Sequence, residues 1–562
     1  MNKSQVITLL VASNVFLVSL LYVSNYWNIH WPVESIPHGH INKESEYVNP
    51  FKVYEEYPID LVNASAIFNT VHGALKQKDA NLNPVGVSFI PAYIPPNTRF
   101  YHSTGSPEIP ESFEWIAMEY EFSYAFAQFQ KPQNSTKPPP FPKKPPGAPE
   151  SGNKHKHLPF FGDAYLYSFR TTRALDKVIL LDGASAAKYS PLMDQQMILS
   201  RQKNTSAPVD ERIAAEKICD WGQSFGLQGI IRLEIGFEII VCDFQRDLEL
   251  ISNVTLDTTI DTLSIPSGSD GSAPLIKKFS AQDSFENLRM SSYVNDGDRR
   301  IKLDFSKMVT PLNKTYIDPN PFARNISYID NELKEDIIGE LETFYATTKI
   351  DPYETTDWQV VTGLIENKFG PLFDTINKTF TFFNGSEESL EILGEDLLTL
   401  TFNFKRRYND INHHIDRDQY GFNSSILDYV HHTYPLQHND ILIYSSIFKV
   451  QFEISTMMFD IYNLGRDIVD KVSDLEVLKQ RVAIKQKELV EFLDILRWTI
   501  FVDCTEKCGL NSVCYVPTWG PSPFGWGQRN EKFFDNIDGV YSISKNLQCV
   551  DFDDLLALRH QW

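Results

Sequence analysis

The chain has 562 residues, which is long enough for two or three domains that each bury a core. Hydrophobic residues make up 42% of it and charged residues 22%, a balance typical of folded rather than disordered protein. The formal net charge of −21 argues against nucleic acid or anionic lipid as the main partner, because either would need a basic face.

Residues 1–27 are predicted to form a short cytosolic tail and a transmembrane anchor. Residues 6–23 are mostly apolar, carry no charge and are just long enough to cross a bilayer. Lys3 precedes this stretch and the next basic residue is Lys43, so the positive-inside rule places the bulk of the chain across the membrane. A cleaved signal peptide is the alternative, although no small-x-small cleavage site follows the apolar run. Both interpretations send the chain into the secretory pathway, to the endoplasmic reticulum, the Golgi or the cell surface.

Glycan acceptor sites and cysteines agree with that location. Asn-x-Ser/Thr sequons are spread over the chain, at Asn63, Asn134, Asn204, Asn253, Asn313, Asn325, Asn377, Asn384 and Asn423. The six cysteines fall in two groups, Cys219 and Cys242, then Cys504, Cys508, Cys514 and Cys549. In an oxidising compartment we expect the first two to pair and the last four to form two bridges, with three pairings open. A zinc site in the last group is the alternative, but its spacing contains no C-x-x-C pair.

The first half of the chain is predicted to contain a stem and a β-rich domain. Residues 28–85 are predicted to form the stem, and residues 86–265 alternate short β-rich runs with turn signals. Residues 131–160 interrupt this domain with a proline-rich, extended insertion, interpreted as a spacer rather than a ligand for a PxxP-binding domain. An amphipathic helix is predicted from Asp210 to Phe225, ended by Gly226, followed by two strands broken at Gly236.

The second half is predicted to be helical. Residues 266–320 are predicted to be an irregular linker, and residues 321–502 a helical domain. A capping box at Ser473 and Glu476 starts a helix with an apolar stripe through Leu478 and Leu489. An internal bundle is the favoured interpretation, and a surface for protein partners is the alternative. Residues 503–562 are predicted to be a cysteine-containing tail.

Several segments of the β-rich domain occur in a recognisable order. They are "TRFYHSTG", "EWIAMEYEFSYAFAQF", "AYLYSFRTTRALDKVILLDG", "GLQGIIRL" and "GFEIIVCDFQRDLELI". This series resembles the ADP-ribosyltransferase fold of the poly(ADP-ribose) polymerase type, over residues 98–252. The whole chain also resembles a group of uncharacterised fungal type II membrane proteins.

The resemblance implies an NAD site with two catalytic residues. His102 matches the histidine that grips the ribose, and Glu238 matches the catalytic glutamate. Cleaving the bond between nicotinamide and ribose builds positive charge on the sugar, which a preorganised carboxylate would stabilise. The cofactor-binding positions implied by the resemblance are Ser103, Trp115, Ser123 and Phe126. Trp115 and Phe126 stand where tyrosines are usual, and Ser103 stands where a glycine is usual.

Each of these residues also has a structural interpretation. Glu238 could pair with Arg232 or Lys177, and His102 could be a satisfied, partly buried histidine. Trp115 and Phe126 could fill a core. The altered tyrosine positions lower the expectation of activity more than that of the fold, because packing tolerates aromatic swaps.

Other candidate motifs point to no chemistry. Ser185 lacks the glycine frame of a nucleophile elbow. The remaining candidates are histidines and Asp-x-Asp triplets without metal-ligand spacing, namely His413, His414, His431, His432, His438 and the triplets that begin at Asp296, Asp416 and Asp551.

The sequence therefore predicts an α+β fold class: an N-terminal transmembrane helix, a lumenal ADP-ribosyltransferase-like β-rich domain, and an α-helical domain with a disulfide-bridged tail. The favoured function is a non-catalytic lumenal binding or scaffold protein that spans the membrane once, and the helical domain is the candidate surface for protein partners. The alternative is an NAD-dependent ADP-ribosyltransferase or NAD glycohydrolase that uses His102 and Glu238. No cofactor is predicted for the first function, and NAD is predicted for the second.

Overall fold

The computed structural model describes most of the chain from Val48 onward, and these residues form one compact unit. The described ranges are 48–83, 85–124, 164–184, 190–201, 211–256, 272–294, 297–318, 329–347, 349–412, 416–517, 534–537, 540–543 and 546–558.

A nine-stranded sheet forms the centre of the unit. Its strands are β1 (Phe89–Ile94), β2 (Arg99–Thr104), β3 (Glu114–Ala117), β4 (Ala164–Thr171), β5 (Leu175–Ala184), β6 (Gly229–Glu234), β7 (Gly236–Val241), β8 (Leu248–Leu256) and β9 (Lys302–Leu303). The spatial order is β8-β4-β2-β3-β7-β6-β5-β1-β9. Only the β5–β6 pair is parallel among these strands, so the described sheet is mixed.

The two central strands β6 and β7 are buried along their whole length, because their apolar runs have neighbours on both sides of the sheet. Gly236 joins them with a φ of 77°, a conformation that only glycine adopts without strain. The side chain of Gln77 closes this turn: its Nε2 donates to the Glu234 carbonyl at 2.6 Å, and its Oε1 accepts from the Gly236 amide at 2.8 Å. The predicted break of the strand pair at Gly236 is therefore confirmed.

Helices flank the sheet and then dominate the second half of the chain. They are α1 (Pro50–Glu56), α2 (Leu61–Gly73), α3 (Gln77–Leu82), α4 (Tyr120–Tyr124), α5 (Ser190–Leu199), α6 (Glu211–Gly222), α7 (Phe244–Asp247), α8 (Ser272–Tyr293), α9 (Asn331–Thr347), α10 (Trp358–Thr381), α11 (Glu387–Tyr408), α12 (Arg417–Leu427), α13 (His438–Val469), α14 (Leu475–Leu496) and α15 (Phe552–Leu558). Helix α13 runs through the middle of the helical part and contacts α1, α2, α11, α12 and α14.

Helices α11 and α13 approach each other closely at two glycines. A Cβ on Gly394 would lie 2.6 Å from the Ile468 side chain, and a Cβ on Gly465 would lie 3.1 Å from the Gly394 carbonyl oxygen. The small residues therefore let the two backbones touch, which explains why glycine stands inside two helices despite its low helix propensity.

The predicted Cys219–Cys242 bridge is present, and it ties α6 to the end of β7. In the tail the bridges are Cys504–Cys514 and Cys508–Cys549, so the structure selects one of the three open pairings. Cys504, Cys508 and Cys514 also lie close enough together to suggest a metal, but each sulfur is already used in a bridge. The tail contributes strands β10 (Asp503–Cys504), β11 (Ser512–Tyr515), β12 (Phe534–Ile537), β13 (Val540–Ile543) and β14 (Asn546–Asp551).

The predicted fold class is wrong in its division into a β-rich domain and a separate α-helical domain. The stem was predicted over residues 28–85, but α2 packs against α10 and α13, and its Ile67, Phe68 and Val71 are fully buried. The predicted linker, residues 266–320, contributes the 22-residue helix α8 and the edge strand β9. The sheet and the helices therefore share one core, and the observed class is mixed α/β rather than a β-rich domain followed by a helical one.

The N-terminal transmembrane helix of the predicted fold class has no counterpart among the described residues. Residues 1–27 lie outside the described residues. Among the described residues, no helix combines the length and apolarity required to cross a bilayer.

Candidate functional site

The predicted catalytic Glu238 lies in the middle of the sheet, 4% exposed. Arg232 stands directly opposite it on β6, and its Nη2 and Nε both donate to Glu238 Oε2, at 2.6 and 3.1 Å. Burial raises the pKa of Glu238 while Arg232 opposes the shift. Of the two structural interpretations, pairing with Arg232 is the one that the structure shows.

Arg232 is the centre of a larger charge cluster. Its Nη2 lies 3.4 Å from Oε1 of the buried Glu234, and its Nη1 lies 3.4 Å from Oε2 of Glu211 on α6. One guanidinium therefore faces three carboxylates, which raise the pKa of Arg232 against the effect of its complete burial. A buried cation in contact with several carboxylates holds them together electrostatically.

The predicted catalytic His102 lies on β2, in a different environment. Its Nδ1 is 2.8 Å from the Trp115 carbonyl oxygen, and its ring meets the edge of Phe244 with centroids 6.0 Å apart. Burial lowers the pKa of His102, and the nearby Glu114 carboxylate opposes the change.

Strand pairing decides whether the two predicted catalytic residues share a face. Tyr101 pairs with Ala117, and Ala117 pairs with Glu238, so these three residues point to the same side of the sheet. His102 follows Tyr101 directly and so points to the other side, where Phe244 packs against it. The structure thus does not bring His102 and Glu238 together, and their catalytic role stays a prediction that this geometry does not favour.

The predicted cofactor-binding residues that the structure describes lie in separate surroundings. Ser103 is buried and donates to the Tyr165 carbonyl at 3.1 Å, and Ser123 is buried in α4. The Trp115 ring is partly buried, with the Arg212 guanidinium 5.7 Å from its centroid. Phe126 lies outside the described residues.

The weaker sequence candidates have structural roles where they are described. His432 accepts from the Val48 amide at 3.2 Å through Nε2, and its Nδ1 lies 2.8 Å from the Tyr434 carbonyl oxygen. Asp551 accepts from the Asp554 amide at 2.9 Å, as in the first turn of α15. Asp416 precedes α12, and His431 lies in the loop before α13. Ser185, Asp296, His413, His414 and the side chain of His438 lie outside the described residues.

A second polar cluster, not foreseen in the sequence, is buried where α2, α3 and α10 meet. His72 Nε2 lies 3.0 Å from Glu366 Oε2, 3.0 Å from Lys76 Nζ and 3.6 Å from Asp79 Oδ2. Burial lowers the pKa of His72 to about 3, with Lys76 adding to the shift. Burial also raises the pKa of Glu366 to about 8, and Asp79 adds to that shift. At neutral pH both groups are therefore largely uncharged.

An open cleft lies beside this cluster. We call it the junction cleft, because it lies between the end of the sheet and the start of α10. Its volume is about 440 Å³. Its walls come from the α2–α3 turn, the segment before and after β9, and the first turn of α10. The lining residues include Lys76, Asp298, Arg299, Lys302, Phe305, Asp357 and Gln359. No motif joins these residues in sequence, and neither His102 nor Glu238 lines the cleft.

Two family models match the chain. Residues 48–158, 132–272 and 268–350 match the YPL277C N-terminal domain, and residues 357–474 match the YPL277C C-terminal domain. Two curated relatives come from Saccharomyces cerevisiae. "Uncharacterized protein YOR389W" is 30% identical over 582 aligned positions, which cover 90% of this chain and 91% of the relative. "Uncharacterized protein YPL277C" is 32% identical over 416 positions, which cover 62% of this chain and 82% of the relative.

No solved structure matches the chain. The resemblance to ADP-ribosyltransferases thus receives no support from known folds. The similarity to fungal proteins whose names assign no activity agrees with the group expected from the sequence.

Proposed function

Since this chain belongs to the family represented by the YPL277C N-terminal and C-terminal domains, whose names assign no activity, we propose its function from its own geometry. It is a non-catalytic, N-glycosylated binding protein of the secretory pathway, with its folded part in the lumen or outside the cell. The observation that carries the proposal is the pairing of all six cysteines, since stable disulfides form in oxidising compartments and are rare in the cytosol.

The positions of the sequons support this location. The described sequon asparagines are Asn63, Asn253, Asn313, Asn377, Asn384 and Asn423. Asn253, Asn313 and Asn384 are exposed, and the other three are partly exposed. A sequon can accept a glycan in the folded protein only where its asparagine reaches solvent. Asn134, Asn204 and Asn325 lie outside the described residues.

The buried state of the predicted catalytic groups supports a binding role over a reaction. A glutamate that stabilises a sugar cation must face the substrate, whereas Glu238 faces Arg232 inside the sheet. The junction cleft, in contrast, is open and has a volume within the range of small-molecule sites.

The location is tested on the full chain expressed in yeast. Endoglycosidase H is expected to increase its gel mobility, and the triple variant Asn253→Gln, Asn313→Gln, Asn384→Gln is expected to lose three steps of that shift. Maleimide added under denaturing, non-reducing conditions is expected to label no cysteine, because all six are paired. A chain that shows no endoglycosidase shift and six reactive thiols would overturn the proposed location.

One sequon is expected to protect an edge of the sheet. Among the described strands, β8 is the outer one beside β4, and seven of its nine residues are exposed, including Leu250, Ile251 and Val254. Such an edge can pair with a second copy unless something blocks it. Asn253 lies within this strand, so a glycan there would cover the open edge.

Asn253→Gln is therefore expected to remove one glycan and to increase the oligomeric fraction several-fold in size-exclusion chromatography. Thr255→Ala, which destroys the same sequon and keeps Asn253, should have the same effect. Asn384→Gln, which removes a glycan from the exposed loop before α11, should leave the protein monomeric. Equal elution of all three variants and the wild type would contradict the protective role.

A further inference from the structure

The junction cleft is built from parts of the chain that are far apart in sequence. The α2–α3 turn and the segment around β9 form one side, and residues 352–360 form the other. The match to the N-terminal family domain ends at residue 350, and the match to the C-terminal one begins at residue 357. The cleft therefore lies where the two family domains meet, a position at which ligand sites are common.

Among the described residues, the cationic side chains that line the cleft outnumber the carboxylates. Lys76, Arg299 and Lys302 line it, together with the carboxylates of Asp298 and Asp357. Asp298 is 5% exposed, and the Arg300 guanidinium binds it at 2.6 and 2.9 Å. The Asp298 carboxylate is thus already paired with a cation. Among the described residues, neither Arg299 nor Lys302 has an acidic partner within 4.0 Å.

The start of helix α10 offsets part of the negative charge of Asp357. Asp357 caps it by accepting from the Gln359 and Val360 amides at 3.1 and 3.2 Å, and both of these residues line the cleft. The helix has 24 residues, so its dipole places partial positive charge at this end. Gln359 also donates to the Ala74 carbonyl at 2.7 Å and fixes the distance between the two walls.

The walls also include apolar surface. Val360 is exposed at the cleft, whereas Leu75, Ile301, Leu303 and Phe305 line it from almost complete burial. A site with a few cations and an apolar wall suits a ligand that has an anionic end and an organic body.

We propose that the junction cleft binds a small organic phosphate, with Arg299 and Lys302 contacting the phosphate group and the apolar wall contacting the organic part. A guanidinium matches phosphate oxygens in a bidentate geometry, and a lysine adds a point charge. The protein is acidic overall and repels anions from most of its surface. A cationic cleft is therefore a local exception at which an anionic ligand can bind. This inference deepens the proposed binding role and does not depend on the secretory location.

The experiment uses the purified full chain, with inorganic pyrophosphate and uridine diphosphate as probes in isothermal titration calorimetry. Wild-type protein is expected to bind both probes, and uridine diphosphate more tightly because its organic part meets the apolar wall. Arg299→Gln/Lys302→Gln is expected to weaken binding at least 10-fold, since two charge-assisted contacts are lost. Lys378→Gln/Lys487→Gln removes the same charge from exposed helix faces elsewhere and should leave the affinity unchanged.

Arg299→Glu provides a second variant that leaves the core untouched, because Arg299 is exposed. It should abolish binding while the melting temperature without a probe stays at the wild-type value. The proposal is overturned if wild-type protein binds neither probe at millimolar concentration, or if the two double variants bind equally. Either failure would leave the glycosylation and thiol results unchanged, so it can be told apart from a failure of the proposed location.

Discussion

Replacing Arg232 by methionine is expected to lower the free energy of unfolding by about 3–5 kcal/mol, because it leaves buried carboxylates without their cation. Glu238 and Glu234 are each 4% exposed, and both face this guanidinium. Urea unfolding followed by circular dichroism measures the change. In the double variant Arg232→Met/Glu238→Met, part of the loss should be recovered, since one uncompensated charge is removed.

The same sheet offers a matched control. Arg170 on β4 stands directly opposite Glu249 on β8, and its Nε and Nη2 both lie 2.7 Å from Glu249 Oε2, but both side chains are about half exposed. Arg170→Met should therefore cost less than about 1 kcal/mol. If Arg170→Met and Arg232→Met destabilise the protein equally, burial is not what makes the second pair important.

This comparison also bears on the predicted catalytic role of Glu238. A structural ion pair predicts that Glu238→Gln lowers stability. A catalytic carboxylate predicts that the same variant folds normally and loses any release of nicotinamide from NAD. Measuring urea unfolding and nicotinamide release on one purified preparation of Glu238→Gln distinguishes the two outcomes.

Replacing Glu366 by glutamine is expected to remove a pH dependence of stability between pH 6.5 and 8. The folded-state pKa of Glu366 is raised to about 8 by burial, above its ordinary value of 4.5. The folded protein therefore holds this proton more tightly than the unfolded chain. Its contribution to stability is complete below about pH 4.5 and is lost as the pH rises through 8.

The neighbouring His72 acts in a lower pH range and with the opposite sign. Its folded-state pKa is lowered to about 3, so it contributes stability above pH 6.5 that is lost as the pH falls toward 3. In the folded protein, only Glu366 of this pair changes its proton binding between pH 6.5 and 8. Wild-type protein is expected to lose about 2 kcal/mol over that interval from this group, at about 1.4 kcal/mol per pH unit for one proton.

Urea unfolding at pH 6.5 and pH 8 measures the difference between wild type and Glu366→Gln. The glutamine variant should be more stable than wild type at pH 8. It should also lack the decrease in unfolding free energy between pH 6.5 and 8 that Glu366 causes in the wild type. Asp374→Asn on the same helix is the control, because Asp374 forms an exposed pair with Lys378. A wild-type loss that persists unchanged in Glu366→Gln would show that other groups cause it.

Local signals in the sequence predicted many of the elements. The helix that begins at Glu211 ends through a 3₁₀ turn at Gly226, whose φ of 76° is the left-handed conformation expected of a helix-ending glycine. The apolar stripe through Leu478 and Leu489 forms the buried side of α14. The capping box expected at Ser473 is absent, because the helix begins one residue later with Asp474 at its N-cap position.

The sequence offered Arg232 and Lys177 as partners of Glu238. Gly236 folds β6 back onto β7, and the resulting hairpin sets Arg232 opposite Glu238. The sequence could not predict which side of the sheet Arg232 and Glu238 occupy. That depends on β2 and β3, which reach the same sheet from more than 100 residues earlier. The resemblance therefore placed His102 and Glu238 in one site, while the pairing places them on opposite faces.

The sequence by itself determined strands β6 and β7 with their break at Gly236, helices α6 and α14, and the Cys219–Cys242 bridge, because these depend on neighbouring residues and on a short loop. Only the tertiary structure decided that α2 is core rather than stem, and that Lys76, Arg299, Lys302 and the start of α10 surround one cleft. The physical reason is that burial and charge clustering arise from contacts between segments hundreds of residues apart, and such contacts leave no periodic pattern in the chain.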